Sequence, residues 1–175
     1  MKGDTVLKLK MGDTSAFEKV YNDFFNKIYQ FVFFKVNNQS KTEDICSEVF
    51  LRFVKFVHKN EINNVSAVLY RIARNLIIDD SRKNKEDLVG DEKMELIKDD
   101  NELNFDDKYI NDENLFSTLS SLEDDYRDIV VMYYINEMSL KDVAEVFGKT
   151  QGATKTMLSR ALKKLKEGMR RNDRE

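Results

Sequence analysis

Between Thr150 and Arg171 the chain carries seven Lys or Arg and one acid, Glu167, while Thr154, Leu158, Ala161 and Leu165 recur every three or four residues. Apolar residues on one side of a helix and cations on the other make a surface that attracts polyanions, phosphate above all. Gln151, Gly152, Lys155, Thr156, Ser159 and Arg160 fall in the N-terminal half of this stretch, where polar side chains of moderate length reach base edges in a major groove. Lys163, Lys164 and Lys166 follow, at positions suited to flanking phosphates. The bland alternative is that these lysines solvate a packed helical hairpin; charge and periodicity favour contact with DNA but leave both readings open.

Other residue types that could do chemistry are present without the company they need. Cys46 and His58 form no Cys/His cluster, so they suggest structural or solvent-edge roles and no metal site. Asp79 and Asp80 are adjacent, and neighbours on a helix point about 100° apart, so they make no facing acid/base pair. Asp79 is better placed for a local contact with Arg82 or Lys83. Walker motif, glycine-rich dinucleotide loop and nucleophile elbow are all missing from the sequence. The expectation is a protein that binds rather than catalyses, with no cofactor and no metal.

The elements that must position the basic stretch are strongly punctuated. Ser139 followed by Asp142 spells a helix N-terminus, Leu140, Val143, Ala144 and Phe147 line one face, and Gly148 supplies a left-handed stop. Thr150 caps the helix that follows. A short helix, a tight turn and a longer basic helix, with small Ala144 at the crossing, give the geometry of a helix-turn-helix. Upstream, Ser121 with Asp124 spells a capping box ahead of Leu122, Tyr126, Ile129, Val130 and Tyr133, and Asn136 with Glu137 breaks that helix. Nearer the start, Thr14 is a candidate cap for an apolar stripe from Phe17 to Val32, interrupted at Asn37–Gln39. A second stripe runs from about Lys41 to Lys59, and a third helix from about Val65 to Asp80. The chain contains no proline, which removes the strongest helix breaker. The predicted fold is all-α: two small helical domains, over residues 1–85 and 114–175, joined by an acidic linker over 86–113, with the helix-turn-helix in the second.

Charge divides along the same lines. Residues 1–85 hold 15 Lys/Arg against 10 Asp/Glu, residues 86–138 hold 4 against 17, and residues 139–175 hold 10 against 5. Binding to phosphate needs local positive potential and not a basic total, so the overall charge of −3 does not argue against nucleic acid. The acidic middle resists independent compaction and should stay off DNA. A single cysteine allows no intrachain disulfide, and no apolar run approaches the roughly 18 residues of a membrane span. The cytoplasm is the expected compartment, without membrane insertion.

The order Ser139, Asp142, Val143, Ala144, Gly148, Thr150, Arg160, Ala161, Leu165 resembles the C-terminal helix-turn-helix of extracytoplasmic-function (ECF) sigma factors. Upstream, EDICSEVFLRFVKF over 43–56 is similar to that family's polymerase-docking segment, and LYRIARNLIIDDSRK over 69–83 to the helix that opens and reads the promoter minus-ten element. Two motifs in the right order are far more specific than either alone.

The resemblance implies that Asp44, Glu48, Phe50, Leu51 and Arg52 meet core RNA polymerase. It implies that Arg71, Arg74, Asn75, Arg82 and Lys83 engage the minus-ten DNA, with Asp79 beside them, and that the helix bearing Gln151, Lys155, Thr156, Ser159 and Arg160 reads the minus-thirty-five element of promoter DNA. Tyr70 could stack on a captured base, although a Tyr beside Leu69 is more often packed inside. The acidic linker could occupy a basic polymerase channel, and an inhibitory anti-sigma factor is an implied partner. The chain departs from the family pattern at Ser120, where Pro is common, at Val68, where Trp is frequent, and at Met157, where Arg is frequent. A helix-turn-helix repressor or response-regulator output domain is the rival, and it leaves residues 1–85 without a role.

Overall fold

A computed structural model describes residues 3–87 and 113–172, with side chains over 4–82 and 115–168. Most of the acidic linker and the side chains of Lys83 and Met169 lie outside what is described. The described residues fall into two compact units, one over 3–87 and one over 113–172.

The first unit contains α1 (Gly3–Lys10), α2 (Thr14–Val36), α3 (Gln39–Lys59) and α4 (Val65–Asp87). Asp13 caps α2, not Thr14: its Oδ1 accepts from the backbone N–H of Ser15 at 2.9 Å and of Ala16 at 3.2 Å. A carboxylate there satisfies two end donors and meets the positive end of the helix dipole, which a hydroxyl cannot match. The Asn37–Asn38 break divides its work between the two residues. Asn37 turns left-handed at φ 49° and its N–H bonds Phe33 O, while the Asn38 side chain accepts from Lys41 N and starts α3. Asn64 Oδ1 likewise accepts from Ala67 N at 3.1 Å and opens α4. That helix runs seven residues past its expected end at Asp80, since nothing up to Asp87 is a Gly or Pro.

The apolar stripes meet where the periodicity puts them. Val20, Phe31, Val32, Val49, Phe53, Ala67, Leu69 and Ala73 are sealed from solvent. Tyr70 is sealed with them, its ring edge-on to Phe31 at 5.3 Å, so its stacking role is excluded and the packing reading holds. Along α2 a ladder of rings at four-residue spacing, Phe17, Tyr21, Phe25, Tyr29 and Phe33, has successive centroids 4.9 to 6.2 Å apart.

The second unit contains α5 (Glu113–Ser120), α6 (Asp124–Val130, continued by a π turn over Val131–Ile135), α7 (Leu140–Phe147) and α8 (Gln151–Asn172). The Ser121 capping box does not form. Ser121 Oγ donates back to Thr118 O at 2.7 Å, and Glu123, at the N-cap position of α6, makes no side-chain cap hydrogen bond. The α5–α6 turn, which lacks proline at Ser120, is held by Arg127: Nε donates to Leu119 O at 2.9 Å, and one terminal nitrogen donates to Ser120 O at 2.8 Å and Leu122 O at 3.2 Å. Arg127→Ala should lower the free energy of unfolding by about 1–2 kcal/mol, less than the full worth of charged hydrogen bonds because part of the site is wet. Arg127→Lys should recover only a fraction, since an ammonium cannot fork; denaturant midpoints of the three proteins are the measurement.

Beyond the π turn Glu137 takes φ +54°, one of two non-glycine residues in that region among those described. Ser139 Oγ then accepts from Asp142 N at 3.1 Å and donates to Asp142 Oδ2 at 2.7 Å. Gly148 adopts φ +61° and Thr150 Oγ accepts from Ala153 N at 3.2 Å, so the stop and the cap stand where the sequence puts them.

Candidate nucleic-acid interface

The rotation of α8 follows from the residues it buries. Thr154, Leu158 and Ala161 are inside the second unit, packed against α6 and α7. At 100° per residue, Gly152, Thr156, Ser159 and Lys163 therefore emerge on the opposite side, with Arg160 beside them and Gln151 and Lys155 on the flanks, and all are exposed. This face offers small polar groups in its N-terminal half, with Lys155 and Arg160 at its edges and Lys163 beyond them, which suits a helix lying in a groove between phosphate rows.

Lys164 lies on the flank of this face and is exposed. It pairs with Glu123 at the start of α6 and lies 4.9 Å from the centroid of Tyr126; its hydrogen bond to Glu123 raises its pKa above the ordinary lysine value. The ammonium thus links α8 to α6 within its own unit while the residue stays exposed. Lys163, one position earlier, is exposed on the side opposite the core.

On α4, Arg71, Asn75 and Arg82 are exposed and Arg74 half-buried. Spacings of three, four and seven residues bring them onto one side, opposite Ala73 and Ile77 in the core. Asp80, and not its neighbour Asp79, makes the ion pair across helices, with Lys41 Nζ at 2.7 Å. That pair ties the start of α3 to the basic part of α4.

The expected docking helix α3 divides its candidates between two sides. Asp44, Leu51 and Arg52 are exposed and Glu48 half-buried. Arg52 Nε donates to Glu48 Oε1 at 2.6 Å, and that bond holds the Glu48 carboxyl below its ordinary range. Leu51 is 56% exposed, so its side chain is accessible to a partner on this side of α3. Phe50 is a correction. It is only 3% exposed, with its ring 4.8 Å from Tyr21 and 6.2 Å from Phe25, so it supports the helix from within and is not itself a contact surface. Periodicity assigned Tyr21 to the buried stripe, yet it is 37% exposed. It joins the candidate apolar surface through its contact with Phe50, and its phenolic tip was the only hint of that in the sequence.

Among the described residues no group of three or more His, Cys, Asp or Glu could hold a metal ion, and no helix is long and apolar enough to cross a membrane. Cys46 is buried against α2, and burial, with a smaller effect from Glu43, pushes its thiol up to about 12. It should therefore resist iodoacetamide at pH 8 in the folded protein and react once denatured. Because the folded thiol keeps its proton to higher pH than the unfolded one, its stabilising contribution is intact below about pH 8.5 and is lost as pH rises toward 12. Rapid labelling under native conditions would contradict that packing.

Two family models match the chain in separate places: Sigma-70 region 2 over residues 20–86 and Sigma-70, region 4 over residues 112–165. Among curated proteins, the ECF RNA polymerase sigma factor SigW of Bacillus subtilis (strain 168) is 31% identical, over 94% of this chain and 95% of its own length. SigM of the same organism, also an ECF RNA polymerase sigma factor, is 26% identical over 85% and 92%. Two solved structures share the fold at a TM-score of 0.69. One is CnrH in complex with the cytosolic domain of CnrY, at 18% identity over 93% of each chain. The other is the sigma factor RpoE with the anti-sigma factor NepR from Bartonella quintana, at 20% identity over 88% of this chain and 96% of that one.

Proposed function

The chain belongs to the sigma-70 family, in its ECF class, and from that membership we propose how its separate faces divide the work of promoter recognition. Residues 1–85 dock on core RNA polymerase through α3, by way of Asp44, Glu48, Leu51 and Arg52 with Tyr21 added. The same unit engages the minus-ten element through Arg71, Arg74, Asn75, Arg82 and Lys83. Residues 114–175 read the minus-thirty-five element with Gln151, Lys155, Thr156, Ser159, Arg160 and Lys163, and the acidic stretch 86–113 joins the two without adhering to DNA. The protein works in the cytoplasm, where polymerase and promoter are.

No reaction chemistry is involved. Opening duplex costs a few kcal/mol per disrupted step, on the order of what a handful of charge-assisted contacts offsets. Polymerase docking raises the effective concentration of both DNA-binding faces at one promoter, so neither needs high affinity alone. An anti-sigma factor that covers the Leu51 surface would block the first of these steps.

The observation that carries this reading is one chain with an exposed basic face in each of two compact units, the first also bearing an exposed apolar residue on its docking helix. Addition of the purified chain to core polymerase, followed by transcription from a promoter library, tests it. Core binding and promoter-specific initiation are expected. A folded chain that binds duplex without joining polymerase would be a repressor, and the proposal would be wrong.

A further inference from the structure

The hydroxyl of Thr156 donates to the carbonyl oxygen of Gly152, one turn earlier on α8, at 3.1 Å. A threonine has one donor proton, so this one is engaged with its own helix. Thr156 is exposed on the side of α8 opposite Thr154, Leu158 and Ala161. At Gly152 no side chain stands over this side, and even a Cβ there would meet nothing within 4 Å. With the donor turned inward, what Thr156 can offer a facing surface is its γ-methyl, plus an oxygen that can only accept.

A donor-requiring partner such as guanine O6 or N7 could be bonded only by breaking the Gly152 hydrogen bond. The apolar group on the major-groove edge of DNA is the C5-methyl of thymine. We propose that Thr156 is a specificity-determining residue that selects a thymine in the upstream promoter element by methyl contact rather than by hydrogen bonding. The inference rests on α8 being the duplex-reading helix, and it adds which base one of its residues favours and through which atom.

The test uses the full chain in complex with core polymerase, on the best upstream element selected from a randomised promoter library. Each thymine of that element, on either strand, is replaced in turn by deoxyuridine, which removes only the methyl. At one position the wild type should lose about fourfold in affinity, the worth of one buried methyl. Thr156→Val, which keeps the methyl and lacks the hydroxyl, should show the same loss, and Thr156→Ser should bind thymine and uracil equally at that position. Uracil without effect at every position, or a Ser variant as sensitive as the wild type, overturns the proposal. The Lys155→Ala, Arg160→Ala double variant separates the two levels: if it weakens upstream-element binding while uracil does nothing, α8 is the reading helix and only the methyl readout is wrong; if it changes nothing, the helix assignment fails and the methyl readout with it.

Discussion

Leu51→Asp should lower affinity for core RNA polymerase by about 10- to 100-fold, the loss expected when a leucine that becomes buried on binding is removed and a charge is put in its place. The side chain is more than half in solvent in the free protein and sits beside the Glu48–Arg52 pair. Its replacement therefore leaves the core untouched, and the free energy of unfolding should fall by no more than the helix propensity of Asp allows, about 0.5 kcal/mol. Phe50→Ala makes the contrast. That ring fills the space between α3 and the aromatic ladder of α2, so its removal should destabilise the first unit by about 3–4 kcal/mol, and any docking defect would be a folding defect. A Leu51→Asp chain that is folded and still joins polymerase with undiminished affinity would remove α3 from the interface.

Replacing Lys155 and Arg160 together by Ala should reduce binding to the upstream element by about 2–4 kcal/mol, or roughly 30- to 1000-fold, if one meets a base and the other a phosphate. Both are exposed near the outward side of α8, away from the buried face. The salt dependence carries the sharper signature: the plot of log affinity against log salt should flatten by about one for each phosphate that is no longer neutralised. Lys164→Ala is the internal control. Its ammonium is engaged with Glu123 and Tyr126, so it should shift stability slightly and leave the salt slope nearly unchanged. Parallel salt plots for wild type and the double variant would mean that α8 does not face DNA.

Several features follow directly from local sequence. The breaks at Asn37–Asn38 and Asn64, the Ser139 cap, the left-handed Gly148 and the Thr150 cap each depend on residues within four positions of one another, and backbone hydrogen bonding is local in helices. The stripes of α2, α3 and α4 were legible because burial follows the 3.6-residue period. The short helices α1 and α5, eight residues each, went unread, since segments of that length are marginal alone and form through the surfaces they pack on.

What the amino-acid order determined by itself was the all-helical character, the two basic segments flanking an acidic one, and the residue types from which both motifs are made. Tertiary structure decided which member of each neighbouring pair faces outward: Leu51 and not Phe50, Arg71 and not Tyr70. One step along a helix rotates a side chain by 100°, so the pattern leaves the edges of an apolar stripe undefined by about one residue. Only the position of the packed neighbour settles them, α2 beneath Phe50 and α2 around Tyr70, and that position is set by packing between segments distant in sequence.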